Sequence, residues 1–356
     1  MRHPPVGQRQ RALRKRREPE PVQRRVSCTF RLHFPLYHNG RRHDVILCCG
    51  EALIDFIPIP ARDGRTCFLP APGGCPYNSA VSAGRLGAPV AFLGRISRDF
   101  FGDQILDRLA ANNVATDRVI RSDQPTTLAF VKRNEKGEAQ YAFFANDSAD
   151  RNLSPADIPD DLTPAACLVF GSISLLMEPG ATTIEQLVKR EAGKRVLSFD
   201  PNIRPGLIHD RIAYLKRFVD LASVSTIVKI SDADLEWLYP ATDPIDAARA
   251  LVQAGTTLVI VTMGEHGSRA ISRSIDVAVA AVETTVSDTV GAGDSFHAGV
   301  LTWLLDHGLL SIEAITALSA ADAKSALTFA AHVAAVTCSR EGADPAHRHE
   351  LPESIR

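Results

Sequence analysis

The segment Asp288-Thr289-Val290-Gly291-Ala292-Gly293-Asp294-Ser295-Phe296 sets small residues beside a carboxylate, just where an apolar-faced helix begins at about 294 and runs to 307. Without bulky side chains, successive backbone N–H groups can turn toward one point. A helix start adds amides that lack a carbonyl partner, and the positive end of the helix dipole. Gly291, Ala292 and Gly293 therefore read as an anion hole for a phosphate. Asp294 lies beside that hole in the first helical turn. Phosphoryl transfer needs positioning, charge neutralisation and a base for the acceptor hydroxyl's proton. Asp294 fits the base, with the three small residues steadying charge on the moving group. The plainer alternative is that Asp294 only caps its helix.

Other phosphate motifs do not fit. No GxxxxGK[ST] run occurs, and the third glycine of a dinucleotide fingerprint is replaced by Phe296, with no acidic residue at the expected distance beyond. No HExxH motif is present, and the His-rich end at 347–349 reads as a solvated tail.

The elements that must position this loop follow from the apolar pattern. Val45–Cys49, Cys167–Phe170, Val196–Phe199, Thr226–Ile230 and Leu258–Thr262 are short apolar runs, as suits strands covered on both faces. Helical spacing predicts helices at 76–86, 100–112, 181–192, 209–222, 232–238 and 244–254. This alternation implies a mainly parallel sheet with crossover helices, and ligands at the loops following the strands. Two regions break the rhythm. Residues 56–72 carry Pro58, Pro60, Pro70 and Pro72 around short extended pieces. Thr127–Arg133 and Ala139–Ala145 read as a hairpin turning at Asn134–Gly137. Segments 56–72 and 126–146 together form a small β-flap or lid. Farther on, Val277–Val282 alternates, Gly308 stops the long helix, and the Ala-rich stretch 314–337 forms one or two packed helices.

Bulk properties exclude some classes. The 356 residues are 45 % hydrophobic and 23 % charged, with a net charge of −1, which carries no bulk signal for nucleic acid. Charge is uneven, however. Residues 1–44 hold eleven Arg and one Lys against Glu18, Glu20 and Asp44, a surplus of nine positive charges, so residues 45–356 carry a net charge of −10. We read 1–43 as a basic, disordered tail preceding one domain at 44–356. A targeting segment, or an arm that touches nucleic acid or a membrane surface, is the alternative. Seven Cys without a CxxC pair point to reduced, cytoplasmic usage. No apolar run approaches the roughly 18 residues that a membrane span needs.

The chain resembles the ribokinase-like (PfkB) carbohydrate kinases over residues 45–346. "VSDTVGAGDSF" at 286–296 is similar to their C-terminal signature and "PGGCPYNSAVSAGRLG" at 72–87 to their N-terminal one. "CCGEALIDFI" (48–57), "FLGRISRDFFGD" (92–103), "FDPNIRPGLI" (199–208), "KISDADLEWL" (229–238), "VTMGEHG" (261–267) and "CSREGADP" (338–345) follow in the family's order. The nearest branch is that of the fructokinases. Cys75-Pro76-Tyr77 stands where ribokinase itself has a Lys-containing turn, which weakens ribose as the acceptor.

The resemblance implies a three-layer α/β/α sandwich with a β-lid, and an ATP-dependent sugar kinase with Asp294 as base. Asp55, read as ending the first strand, would accept hydrogen bonds from sugar hydroxyls, beside Gly73, Gly74 and Asn78. Asn78 otherwise caps its helix. Arg204 would grip a phosphate or a sugar-acid group, and Arg151 would close over the sugar; Arg95 and Asp99 are weaker candidates. Asn202, Lys229, Ser231, Thr262, Gly264, Gly267 and Gly293 would frame the nucleotide, with Asp234 near its Mg2+. Asp288 and the Val290 carbonyl would hold K+, although an Asp bonded to loop amides explains Asp288 equally well. The implied small-molecule partners are a sugar and ATP, with no nucleic acid or membrane, and a homodimer is expected. D-fructose is the first acceptor to test. Alternatives are 2-keto-3-deoxygluconate, another sugar acid or a nucleoside, and, in a different class, an inactive kinase-like binding protein, against which Asp294 argues.

Overall fold

A computed structural model describes residues 37–38, 41–42, 44–61, 63, 65–133 and 139–356. The basic segment thus lies outside the described residues, apart from a two-residue pairing of Tyr37–His38 with Arg41–Arg42. The Asn134–Gly137 turn also lies outside them.

Each apolar run becomes a strand. In chain order these are β1 Val45–Cys49, β2 Leu53–Pro60, β3 Thr66–Gly73, β4 Val90–Ser97, β5 Val114–Ala115, β6 Val119–Ser122, β7 Leu128–Arg133, β8 Ala139–Phe144, β9 Ala165–Gly171, β10 Val196–Asp200, β11 Ile227–Ser231, β12 Leu258–Thr262, β13 Ser268–Ile271 and β14 Asp276–Val279. The helices are α1 Cys75–Arg85, α2 Phe100–Ala111, α3 Gly180–Glu191, α4 Arg211–Val224, α5 Asp232–Leu238, α6 Pro244–Ala254, α7 Ala292–Asp306, α8 Ile312–Thr316 and α9 Ala320–Cys338. Helix predictions agree within about two residues, and the Ala-rich stretch is two helices.

Ten strands form the main sheet, in the order β14-β13-β12-β11-β10-β9-β1-β4-β5, with β6 also on β4. Its pairs are parallel except those of β13 with β12 and β14. Successive residues of a strand point to opposite faces, which separates the core into two halves. Ile46 and Cys48 pack with residues of α1, α2, α7 and α9. Val45, Leu47 and Cys49 pack with residues of α3, α4, α5 and α6. The result is the expected three-layer α/β fold, with one helical layer on each face.

A separate four-stranded sheet has the order β8-β7-β2-β3. It is antiparallel except for β2 with β7. Residues 56–72 are not short pieces but most of two eight-residue strands. Pro70 and Pro72 are tolerated because β3 is the edge strand, where a missing N–H need not break a ladder.

Candidate active site

Strand ends of both sheets meet at a cleft of about 380 Å3, a volume suited to a small ligand. The N-terminus of α7 closes one side. Gly291 is its N-cap, with φ 75°. That left-handed conformation favours glycine, and a Cβ there would come within 2.9 Å of the Ala343 Cβ. At Gly293 a Cβ would lie 2.8 Å from Lys229 Nζ, the far end of a long side chain, so the constraint there is weaker. Gly291, Gly293 and Asp294 all line the cleft. Ala292 is the first residue of the helix, and its N–H donates to the Thr289 carbonyl at 3.2 Å.

Asp294 is 6 % exposed. Asn78 Nδ2 donates to its Oδ2 at 2.9 Å. Asn78 is not the α1 cap: the helix begins at Cys75 with Gly74 as N-cap, so the amide side chain is left for Asp294. Burial, then the charge of Asp200, push the Asp294 pKa up, while the Asn78 donor and Lys229 pull it back.

Asp200 ends β10 and is fully buried. Lys229 Nζ donates to its Oδ2 at 3.0 Å, and Cys75 Sγ reaches the same oxygen at 3.7 Å. Burial opposes the Lys229 charge, but Asp200 and neighbouring acidic groups outweigh it and raise its pKa. His297, one turn after Asp294, has Nε2 2.6 Å from Ser198 Oγ. Burial lowers its pKa to about 4, so it is neutral.

Asp55 corrects one expectation. β1 stops at Cys49, the chain turns at Gly50 with φ 149°, and Asp55 falls within lid strand β2 rather than at the end of the first strand. It still faces the cleft. A Cβ at Gly73 would collide with its carboxylate, so the glycine leaves that carboxylate its place. Burial drives the Asp55 pKa up to about 7, against the pull of Arg204. Gly74, with φ 112°, lines the cleft beside it.

Asn202 and Arg204 follow β10 and line the cleft. Asn202 has φ 38°, which Asn tolerates better than most residues. Its Oδ1 accepts from Arg204 at 2.6 Å. The Arg204 guanidinium lies 5.8 Å from the centroid of the Tyr141 ring, linking the body to the lid.

Most other predicted residues lie outside the cleft lining. Arg151 is not among the cleft-lining residues; its guanidinium donates to the carbonyls of Glu178 and Ala145. Arg95 pairs with Asp157, and Asp99 caps α2 while accepting from Thr126. Ser231 caps α5 by accepting from Asp234 N–H, and Asp234 Oδ1 accepts from Ile203 N–H, bracing the loop after β10. Thr262, Gly264 and Gly267 form the β12–β13 turn, where Met263 N–H donates to the Gly267 carbonyl. Asp288 accepts from Thr289, Val290 and Gly342 N–H, and with Val290 it lines the cleft.

Sequence reasoning missed Glu51, Tyr141 and Phe143, which line the cleft. Glu51 Oε1 accepts from Cys75 N–H at 3.1 Å, Oε2 accepts from Ser174 Oγ, and burial raises its pKa to about 7. An acidic residue two positions past a buried strand was its only signal. Tyr141 and Phe143 share one face of β8, two residues apart.

Comparison with known proteins identifies the family. The profile described as pfkB family carbohydrate kinase matches residues 44–349. A fructokinase of Rhizobium leguminosarum bv. trifolii is 41 % identical over 274 residues, 77 % of this chain and 84 % of its own length. A solved fructokinase of Xylella fastidiosa with bound ATP aligns with TM-score 0.78 at 29 % identity, over 87 % of this chain and 95 % of its own. A double-mutant fructokinase of Vibrio cholerae O395, holding fructose, ADP and a potassium ion, aligns with TM-score 0.75 at 25 % identity, over 85 % and 94 % of the two chains. With the two signature segments joined through Asn78 and Asp294 and the profile spanning nearly the whole described body, the chain belongs to the pfkB family of carbohydrate kinases and is an ATP-dependent sugar kinase.

Proposed function

We propose that this kinase transfers the γ-phosphoryl group of ATP to D-fructose, releasing fructose 6-phosphate and ADP, with Asp294 as the base. The observation that supports this most is Asp294 itself: it lines the cleft, held by Asn78, beside the Gly291 and Gly293 amides. In this reading the carboxylate takes the proton of the attacking hydroxyl while the amides of Gly291 and Gly293 stabilise negative charge on the transferring group; the Ala292 amide, bonded to the Thr289 carbonyl, takes no part. Asp55 accepts hydrogen bonds from two sugar hydroxyls, and the Gly73–Gly74 turn lets the backbone approach the ring. Tyr141 and Phe143 cover it from the lid and exclude water, which limits ATP hydrolysis. Arg151 takes no part.

The nucleotide lies along Asn202, Lys229, Ser231 and the Thr262–Gly264–Gly267 turn. The Asp234 carboxylate is a hard oxygen donor suited to Mg2+, which supplies charge neutralisation on the phosphates when bound. The Asp288 carboxylate and Val290 carbonyl offer the oxygen donors that K+ requires, and the potassium ion in the Vibrio cholerae relative supports that assignment. Exposed Phe68, Leu69 and Phe144 on the lid sheet support a homodimer formed through that sheet, and sizing chromatography with light scattering checks it. The reading is of a cytoplasmic enzyme.

Arg204 in the cleft favours a second acceptor class, a sugar acid such as 2-keto-3-deoxygluconate. ADP release measured over a panel of ketohexoses, aldohexoses, sugar acids and nucleosides decides between them. Turnover of fructose well below that of another acceptor removes the first reading.

A further inference from the structure

Two arginines that lie away from the cleft lining grip the loop packed behind the anion hole. Ala343 sits against Gly291, so closely that any Cβ on Gly291 would strike its Cα and Cβ, at 3.2 and 2.9 Å. The same stretch meets the anion-hole loop at further points: Gly342 N–H donates to Asp288 Oδ2 at 3.1 Å, and Ser287 and Asp288 N–H donate to the Cys338 carbonyl. The stretch is held from its other side. Arg108, from α2, donates to the Ala343 carbonyl at 2.5 Å. Arg85, from the last turn of α1, donates to Asp344 Oδ1 at 2.5 Å and to the Pro345 carbonyl at 2.6 Å. Asn112 joins the two arginines, accepting from Arg85 Nε through Oδ1 and donating through Nδ2 to the Arg108 carbonyl, both at 2.6 Å.

We propose that Arg85 and Arg108 are positioning residues for phosphoryl transfer, acting through Ala343 to hold Gly291, and with it the anion-hole amides, in register with Asp294. This rests on the reading of Gly291–Gly293 as the anion hole. Gly291 needs such a support from outside. Its left-handed backbone is accessible to a glycine among several other conformations, and the local bonds, Ser295 N–H to the Gly291 carbonyl and Ala292 N–H to that of Thr289, tie it only to its own loop and helix. The charge-assisted bonds of Arg85 and Arg108 are the strong kind and are shielded from full solvation. Helix α1 then serves the site at both ends: Asn78 orients the base, and Arg85, about two turns later, braces the hole that faces it.

Hydrogen exchange tests the brace without any substrate. In Arg108→Met and Arg85→Lys, exchange at the amides of 288–294 is expected to rise at least several-fold, with little change in the sheet. Kinetics read the consequence. Arg108→Met should lose about ten- to hundredfold in kcat, as small misplacements can cause, with the sugar KM held within about twofold. Arg85→Lys, which keeps a charge but not the fork, should fall between Arg108→Met and the parent. A lowered melting temperature with unchanged kcat and unchanged 288–294 exchange in both variants overturns the proposal and leaves the arginines as ordinary structural ties. Loosened exchange with unaltered kcat also overturns it, because the brace would then not serve transfer. Failure of the anion-hole reading is told apart by Gly291→Ala: normal turnover there rejects the hole itself, whatever the arginine variants do.

Discussion

Asn78 Nδ2 donates to Asp294 Oδ2 at 2.9 Å, a bond between side chains 216 residues apart in sequence. It joins helix α1, just after the Gly73–Gly74 turn, to the first turn of α7. Asp294→Asn should lower kcat by at least about 10²-fold, the usual size of an acid–base contribution. Asn78→Ala should cost about tenfold by letting the carboxylate turn, and the double variant should be no worse than Asp294→Asn alone, since both changes act through one group. Additive losses in steady-state assays would separate the two residues. Because burial and Asp200 raise the Asp294 pKa, the acid limb of kcat should lie above the ordinary carboxylate range.

Gly291 is constrained twice, by its φ of 75° and by Ala343. Gly291→Ala should destabilise the fold by about 1–2 kcal/mol for the left-handed backbone alone, and abolish most turnover. Gly293→Ala meets only the end of a lysine side chain, so its stability loss should be smaller. Urea unfolding of both variants checks the order; equal stabilities would contradict it.

Glu51 links stability to pH. Its folded pKa of about 7 lies above the ordinary value of 4.5, burial being the main cause. A raised carboxyl pKa contributes stability that is fully present below the unfolded value and is lost as pH rises through the folded one. Glu51→Gln keeps the shape, can still accept from Cys75 N–H, and does not ionise. Relative to the parent, the ligand-free variant should therefore gain stability between about pH 5 and pH 8. Parallel denaturation curves with no such divergence would count against the buried carboxyl.

Lys229 and Asp200 pair with only 6 % and 1 % of their side chains exposed. Lys229→Met leaves Asp200 buried without its partner, and should destabilise the protein by about 3–5 kcal/mol, the usual penalty for stranding one charge of a buried pair. Asp200→Asn in the same background should recover part of it. A loss under about 1 kcal/mol in urea unfolding would show that water or another group replaces the lysine.

Much of the fold and part of the site are legible in the amino-acid order. Apolar runs such as Val45–Cys49 mark strands, since continuous burial on both faces leaves that signature. The small residues at 291–293 point to a phosphate, because only a side-chain-free bend can present several amides together. Asp55 faces the cleft, as its residue type suggests, but from β2 and not from the first strand. The break at Gly50 and Glu51 is short, and the apolar pattern resumes at once, so the two strands read as one. Arg151 looks suited to the sugar from its place after the hairpin, yet its guanidinium points to backbone carbonyls at 178 and 145. Glu51 escapes notice in the sequence, since one acidic residue after a strand has no periodicity to mark it.

By itself the sequence determined the alternation of strands and helices, the position of the small-residue loop and the residue types available for transfer. All of these depend on neighbours within a few positions, where periodicity and backbone freedom act. Only the tertiary structure decided that Asn78 holds Asp294, that Lys229 is paired with Asp200, and that Arg85 and Arg108 reach the loop behind Gly291. Those partners lie tens to hundreds of residues apart, and what brings them within hydrogen-bonding distance is the path of the chain through the two core layers, which no local pattern records.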